Sequence, residues 1–459
     1  MSEAVSKLQL RDSEGALRTE FVQALMAALQ ARNTRKVRKL ARGLHEADLA
    51  DLIEILRPET RADLIRTLGK DFKLVTLSEL EEPVRDQVIE ALPNEQVADA
   101  VRKLESDDAV YLLEDLDESE QSDILAKLSE SDRATIMRAL DYPEDSAGRL
   151  MQTQFIAVPP FWSVGQTIDH MRENDDLPNS FSEIFVIDPA FHLVGSVALD
   201  RLLRAKRPVK IKDITDRDAH AIAAEEDQEE VAREFERYDL ISAPVVDEGG
   251  RMVGVITVDD VMGVIAEEAE EDIYRLGGVG DESITDTVMR TTQGRFIWLL
   301  VNLATAILAS IVIAQFNASI EQMVALAVLM PIVASMGGNA GTQTMTVAVR
   351  AIATRELGAV NATRVIAREA LVGLLNGLLF AFIMGLVTYF WFGRDGLGFV
   401  IAAALVINLL VAALAGILIP LSLDAMDIDP AIASSVFVTT VTDVVGFFAF
   451  LGLAALWLF

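Results

Sequence analysis

Asp443 stands midway along the apolar run Ala431–Phe459, inside the segment VFVTTVTDVVGFF. An ionised aspartate facing lipid costs at least about 2.5 kcal/mol. A chain that keeps one there must give it water, a partner or a cation. Thr439, Thr440 and Thr442 surround it and add hydroxyl oxygens. Oxygen donors around a carboxylate suit a cation pathway. A second polar group of the same kind is Asn339, Thr342 and Gln343, in the segment PIVASMGGNAGTQ that opens at Pro331. Two readings of that segment stay open. Pro331, Gly337, Gly338 and Gly341 either loosen the backbone so that its carbonyls meet a hydrated ion, or allow close helix packing through small residues.

Four uncharged runs, Phe296–Ile320, Gln322–Val349, Ala370–Gly393 and Gly396–Leu423, precede the run Ala431–Phe459, whose one charge is Asp443. Each is long enough for a membrane helix, which takes roughly 20 apolar residues. The one base-rich loop, Arg350–Arg368, lies between the second and third. The positive-inside rule places it in the cytosol. The N-terminus is then cytosolic and the C-terminus outside, with Asp424, Asp427 and Asp429 at the cytosolic mouth. No apolar leader opens the chain, which agrees. One subunit supplies little polar lining, so a pore between two copies is the economical arrangement.

The formal net charge is −30, and the chain has no Cys and four His. Disulfides, thiolate zinc sites and cysteine nucleophiles are excluded. Nothing pairs a nucleophile with a base, so enzyme chemistry is not indicated. Eight acids and six bases follow Thr291, which leaves 62 acids and 34 bases in residues 1–290, a net of −28. So acidic a surface does not suit nucleic acid. It suits solvation, or divalent cations.

Residues 1–140 carry apolar residues at helical spacing in DLADLIEIL, RADLIRTL, EQVADAVRKL, DDAVYLLEDL, QSDILAKL and RATIMRAL. Short polar breaks separate them, and an all-α superhelical domain is expected. Asp107 and Asp108 open one of these helices, either as plain caps or as ligands bridging a metal. Residues 141–263 contain a duplication: FVIDPAFHLVGSVALDRLL (185–203) aligns with PVVDEGGRMVGVITVDDVM (244–262) at an offset of 59. Asp188 matches Asp247, Gly195 matches Gly254, and Asp200 matches Asp259. Each half reads as an α/β unit, at about 152–206 and 212–263. The duplication resembles a tandem pair of CBS (cystathionine β-synthase) domains, which commonly bind adenosine nucleotides. Thr257 and Asp260 fall where such domains hold a ribose; the first half has Ala198 and Arg201 there.

An acidic connecting helix is expected over Val261–Gly278, and the connecting segment is placed at 264–293. Glu267, Glu268, Glu270, Glu271 and Asp272 crowd it. Glu268 lies three residues before Glu271 and four before Asp272, so the three share a face. Like charges at that spacing destabilise a helix by about 0.2–0.5 kcal/mol per pair, and anionic lipid repels them. Divalent cations relieve both. The membrane domain is placed at 294–459.

This order of parts resembles the MgtE family of magnesium transporters, on GGNAGTQ (337–343), VRAIATREL (349–357) and DPAIASSVFVTTVTDVVG (429–446). The resemblance implies a homodimeric Mg²⁺ channel in a bacterial inner membrane, closed by cytosolic Mg²⁺. It implies a pore-lining ion site at Asp443, with Asn339, Thr342, Gln343 and Thr439 beside the path. It implies cytosolic Mg²⁺ ligands at Glu229, Asp239, Asp260, Glu268, Glu271, Asp272 and Asp429, and ATP bound by Thr257 and Asp260. Many relatives carry an acid where this chain has Gly263. The competing reading is a proton-coupled secondary transporter with Asp443 as proton carrier.

Overall fold

The computed structural model describes residues 10–459 apart from 14, 115, 175, 176, 179, 281, 284, 359 and 427, and only the backbone of Ala433 and Ser434. Asp427, expected at the cytosolic mouth, thus lies outside the described residues. The chain divides into two compact units, Met1–Glu268 and Ala269–Phe459.

The first unit opens with nine α-helices among its described residues: α1 (Thr19–Gln30), α2 (Thr34–Ala41), α3 (Glu46–Glu54), α4 (Pro58–Leu68), α5 (Glu82–Ala91), α6 (Asn94–Val101), α7 (Ser106–Glu114), α8 (Glu118–Leu125) and α9 (Glu130–Leu140). Each turns a narrow apolar stripe inward. Val37 and Leu40, Leu49 and Ile53, Leu64 and Leu68, and Val84 and Val88 belong to one continuous core that reaches Ile136. The helices start on local chemistry, with Asn33 capping α2 and Pro58 at the head of α4.

After the short α10 (Ala147–Leu150) come two three-stranded sheets. The first contains β1 (Ala157–Val158), β2 (Glu183–Ile187) and β3 (Leu193–Ala198), with α11 (Val164–Glu173) and α12 (Leu199–Arg204). The second contains β4 (Ile222–Ala223), β5 (Ser242–Val246) and β6 (Met252–Thr257), with α13 (Gln228–Tyr238). In each, the outer strand joins the middle one in parallel and the last pairs antiparallel. The bounds of β2 and β3 repeat in β5 and β6 at the 59-residue offset read from the sequence. The matched aspartates prove to be turn residues: Asp188 Oδ1 accepts from the His192 amide and Asp247 Oδ1 from the Arg251 amide, both at 2.9 Å. The matched glycines permit crossings. A Cβ on Gly195 would lie 2.0 Å from the Asp216 carbonyl, and one on Gly254 2.5 Å from Met151 Sδ.

β6 runs directly into α14 (Val258–Leu276), which starts three residues before and ends two before the expected Val261–Gly278. The second unit continues with α15 (Val288–Ala314), α16 (Asn317–Gln322), α17 (Ala325–Ala353), α18 (Ala362–Phe392), α19 (Asp395–Asp424) and α20 (Pro430–Trp457). Five of these are long and apolar enough to cross a membrane: α15, α17, α18, α19 and the Ser435–Trp457 part of α20. The first begins eight residues before its hydropathy run, because the Thr287 side chain caps it at the Arg290 amide. α19 is the most enclosed, and α17, α18 and α20 pack on it. Small residues set those contacts, with Gly373 against Ala413, Gly377 against Val406, and Gly385 against Gly398.

Candidate functional site

α17 is helical throughout, Pro331 included. The loosened backbone expected around Gly337–Gly341 is therefore not present, and the packing reading holds. Gly341 lies against Val438 and Thr442 of α20, where a Cβ would come within 2.6 Å of Val438. The opposite face of α17 is polar. Ser335, Asn339, Thr342 and Thr346, spaced four, three and four residues, are all exposed. Asn339 Nδ2 donates to Ser335 Oγ at 3.3 Å. Ser335 and Thr346 extend the stripe read from the sequence; their helical spacing carried the signal. Gln343 turns aside into a groove of ≈ 220 Å³ with Thr344, Arg368, Glu369 and Asn376.

On α20, Asp443 is half-buried and has no hydrogen-bond or ion-pair partner among the described residues. Thr439, one turn earlier on the same face, is exposed. The other two threonines are spent on packing. Thr442 is fully buried and donates to the Thr439 carbonyl at 3.0 Å, and Thr440 donates to the Val436 carbonyl at 2.6 Å. So Asp443 and Thr439 are the least engaged of these groups, Thr442 is closed off by burial, and Thr440 keeps only its lone pairs free.

Of the implied cytosolic ligands, Glu271 and Asp429 are already engaged from within the chain. Arg275, in the last turn of α14, ion-pairs with both Glu271 and Asp429. A guanidinium thus already bridges these carboxylates. Asp429 also caps α20, accepting from the Ala431 amide at 2.7 Å. Burial, with Asp429 nearby, pushes Asp272 above the usual carboxylate range. Glu268 accepts from Gln228 Nε2 at 2.8 Å. Glu229 and Asp239 do not come together: Glu229 opens α13 and pairs with Arg233, while Asp239 is exposed just past its end, at φ 52°. Ten helical residues rise about 15 Å.

An acidic cluster forms instead within the first unit. Asp107 and Asp108 lie inside the first turn of α7, not at its cap. Asp107 is buried, and its Oδ1 has no partner among the described residues. Gln152 Nε2 donates to Asp107 Oδ2 at 3.4 Å and to Asp260 Oδ2 at 3.2 Å. Burial, then Asp260, pushes Asp107 well above its usual range. Burial also pushes Asp108 and Asp260 up to about 6, with Glu105 adding repulsion to both. Four carboxylates that disfavour one another's ionisation form a surrounding that a cation would relieve. Among the described residues no group of three or more acids or histidines has converged to hold a metal.

A nucleotide fits poorly at the expected pair. Thr257 Oγ1 donates to Asp260 Oδ2 at 2.6 Å, the oxygen that also accepts from Gln152. The cavity beside Thr257 holds only ≈ 30 Å³, where small-molecule pockets usually reach about 300 Å³ or more.

Comparison with known proteins gives three family matches. A divalent cation transporter model, MgtE, matches residues 330–453; the MgtE intracellular N domain matches 44–145; CBS domains match 147–207 and 211–267. The magnesium transporter MgtE of Thermus thermophilus is 33% identical over 94% of this chain and 97% of its own. That of Bacillus subtilis is 32% identical over 69% of this chain and 70% of its own. A solved structure, the cytosolic domain of the Mg²⁺ channel MgtE in complex with ATP, is 30% identical, with a TM-score of 0.49, over 53% of this chain and 99% of that one.

Proposed function

Because the chain belongs to the MgtE family of divalent cation transporters, we propose that its ion path runs between two copies and is closed by Mg²⁺ from the cytosolic side. The protein is a multi-pass membrane protein and transports Mg²⁺. The observation that carries the path is the exposed polar face of the second unit. Ser335, Asn339, Thr342 and Thr346 on α17 and Thr439 on α20 stand uncovered on otherwise apolar helices, with the half-buried Asp443 one turn from Thr439. Polar groups so placed need water or protein, not lipid. A second copy supplies both, and two Asp443 carboxylates then match one dication.

Mg²⁺ prefers octahedral oxygen and dehydrates reluctantly. Asp443 therefore acts best through the ion's water, with hydroxyls and amides holding the outer shell. Closure is assigned to the acids of the first unit and the connecting helix. The cluster of Glu105, Asp107, Asp108 and Asp260 supports a regulatory cation there. Asp272, pushed up beside Asp429, supports a second on the connecting helix, in competition with Arg275. ATP is given no step, since the cavity beside Thr257 holds only ≈ 30 Å³. The base-rich loop 350–368 supports a cytosolic N-terminus in a bacterial inner membrane.

The test is Mg²⁺ flux into proteoliposomes. Asp443→Asn keeps the shape and removes the charge, and flux is expected to fall more than about tenfold, the equivalent of about 1.4 kcal/mol. Unchanged flux would overturn the path.

A further inference from the structure

Asn408 lies in the most enclosed stretch of α19, fully buried among apolar side chains. Its Nδ2 donates to the Val333 carbonyl of α17 at 2.8 Å. Its Oδ1 is buried with no partner among the described residues. Two glycines make room for the amide, one from each neighbouring helix. A Cβ on Gly337 of α17 would lie 2.2 Å from Nδ2, and one on Gly446 of α20 would lie 2.7 Å from it. The amide is thus clamped between the two helices that carry the polar face. Gly337 precedes Asn339 by two residues, and Gly446 follows Asp443 by three.

Packing alone gives no reason for an asparagine here. A leucine has the same branched skeleton, though it is bulkier, and leaves no buried oxygen without a donor, which is costly in an apolar core. What the amide adds is direction. One N–H aimed at one carbonyl fixes the height and rotation of α17 on α19, which apolar contacts leave free to slide. The same group sets how closely α20 approaches through Gly446. Recognition of a hydrated ion tolerates little error, since a site loosened by 1 Å is a common cause of lost function.

We propose that Asn408 is a positioning residue for ion selection: it holds α17 and α20 on α19 in one register, and so fixes the height of Asn339 and Thr342 relative to Thr439 and Asp443. The proposal rests on the reading that these helices line the path. Asn408 never touches the ion and acts through the helices it holds.

The test uses the full chain in proteoliposomes, measuring Mg²⁺ influx against concentration, with Ca²⁺ as competitor. Asn408→Leu is expected to raise half-saturating Mg²⁺ about tenfold, the effect of losing about one buried hydrogen bond. Discrimination against Ca²⁺ falls with it, while maximal flux stays within about threefold of wild type. A purely structural residue would lower maximal flux and leave half-saturation unchanged, and that result overturns the proposal. Where Asn408→Leu does not fold, a second pair decides. Gly337→Ala drives a methyl into the amide and should raise half-saturation on its own. Combined with Asn408→Ala it should add nothing to the effect of Asn408→Ala alone. Full additivity of the two overturns the clamp. Asp443→Asn, run in parallel, separates the premises: retained flux there defeats the path itself, not the register.

Discussion

Arg275 is a base among acids that changes how the connecting helix is held. The sequence pattern Glu268–Asp272 asks for a cation, and a guanidinium four residues after Glu271 supplies one from within the chain. It ties Glu271 to Asp429, the residue that caps α20. All three side chains are about a third exposed, so the tie is worth only about 1 kcal/mol. Arg275→Gln leaves Glu271 and Asp429 facing each other without it. Flux at low internal Mg²⁺ should then rise about fivefold, the equivalent of about 1 kcal/mol, while millimolar internal Mg²⁺ still closes the path. A variant that conducts like wild type at low Mg²⁺ would show that Arg275 holds nothing shut. The Asp443 prediction belongs to this scale as well, since one charge carries it.

At the scale of elements, the head of α7 and the head of α14 meet acid to acid. Asp107 and Asp108 come from one and Asp260 from the other, joined only by the Gln152 amide. Their pKa values are raised, so the sign is the reverse of an ordinary ion pair. The folded state holds protons between about pH 4 and 6 that the unfolded chain releases, and stability falls as pH rises through that window. Below the unfolded value the penalty is absent, and for Asp108 and Asp260 it is complete above about pH 6. Lowering the pH from 7.5 to 5.5 without Mg²⁺ should therefore protect the 100–160 and 250–265 segments from proteolysis. Half-protecting Mg²⁺ should be lower at pH 7.5, because protons compete for the same oxygens. Asp107→Asn and Asp260→Asn together should abolish both the pH effect and the Mg²⁺ effect. Protection by Mg²⁺ that ignores pH would remove these acids from the sensor.

For the whole molecule the governing quantity is charge. Residues 1–290 carry a net of −28, and at physiological salt the screening length is only about 8 Å. Repulsion therefore acts where acids lie close, not across the chain. Site binding and general screening can be told apart by titrating Mg²⁺ against KCl at equal ionic strength. Mg²⁺ should protect the first unit and KCl should not; equal protection would mean screening alone. Much of this protein was legible in its sequence, for reasons local to the chain. Helical spacing marked the N-terminal helices, the offset of 59 marked the duplicated sheets, and uncharged length marked five spans, because each depends on neighbours in sequence. Asp443, Thr439, Asn339 and Thr342 were legible too, as polar groups that lipid does not tolerate. The tertiary structure decided what depends on residues far apart in the chain. It spent Thr440 and Thr442 on backbone carbonyls, kept α17 helical through its glycines, and separated Glu229 from Asp239. It handed Asp429 to Arg275, 154 residues away, and set Asp107 against Asp260. It placed Asn408 between Gly337 and Gly446, a clamp that no spacing in the sequence could announce. Side chains from different helices meet only when the helices pack, and packing fixes which donor each acceptor finds.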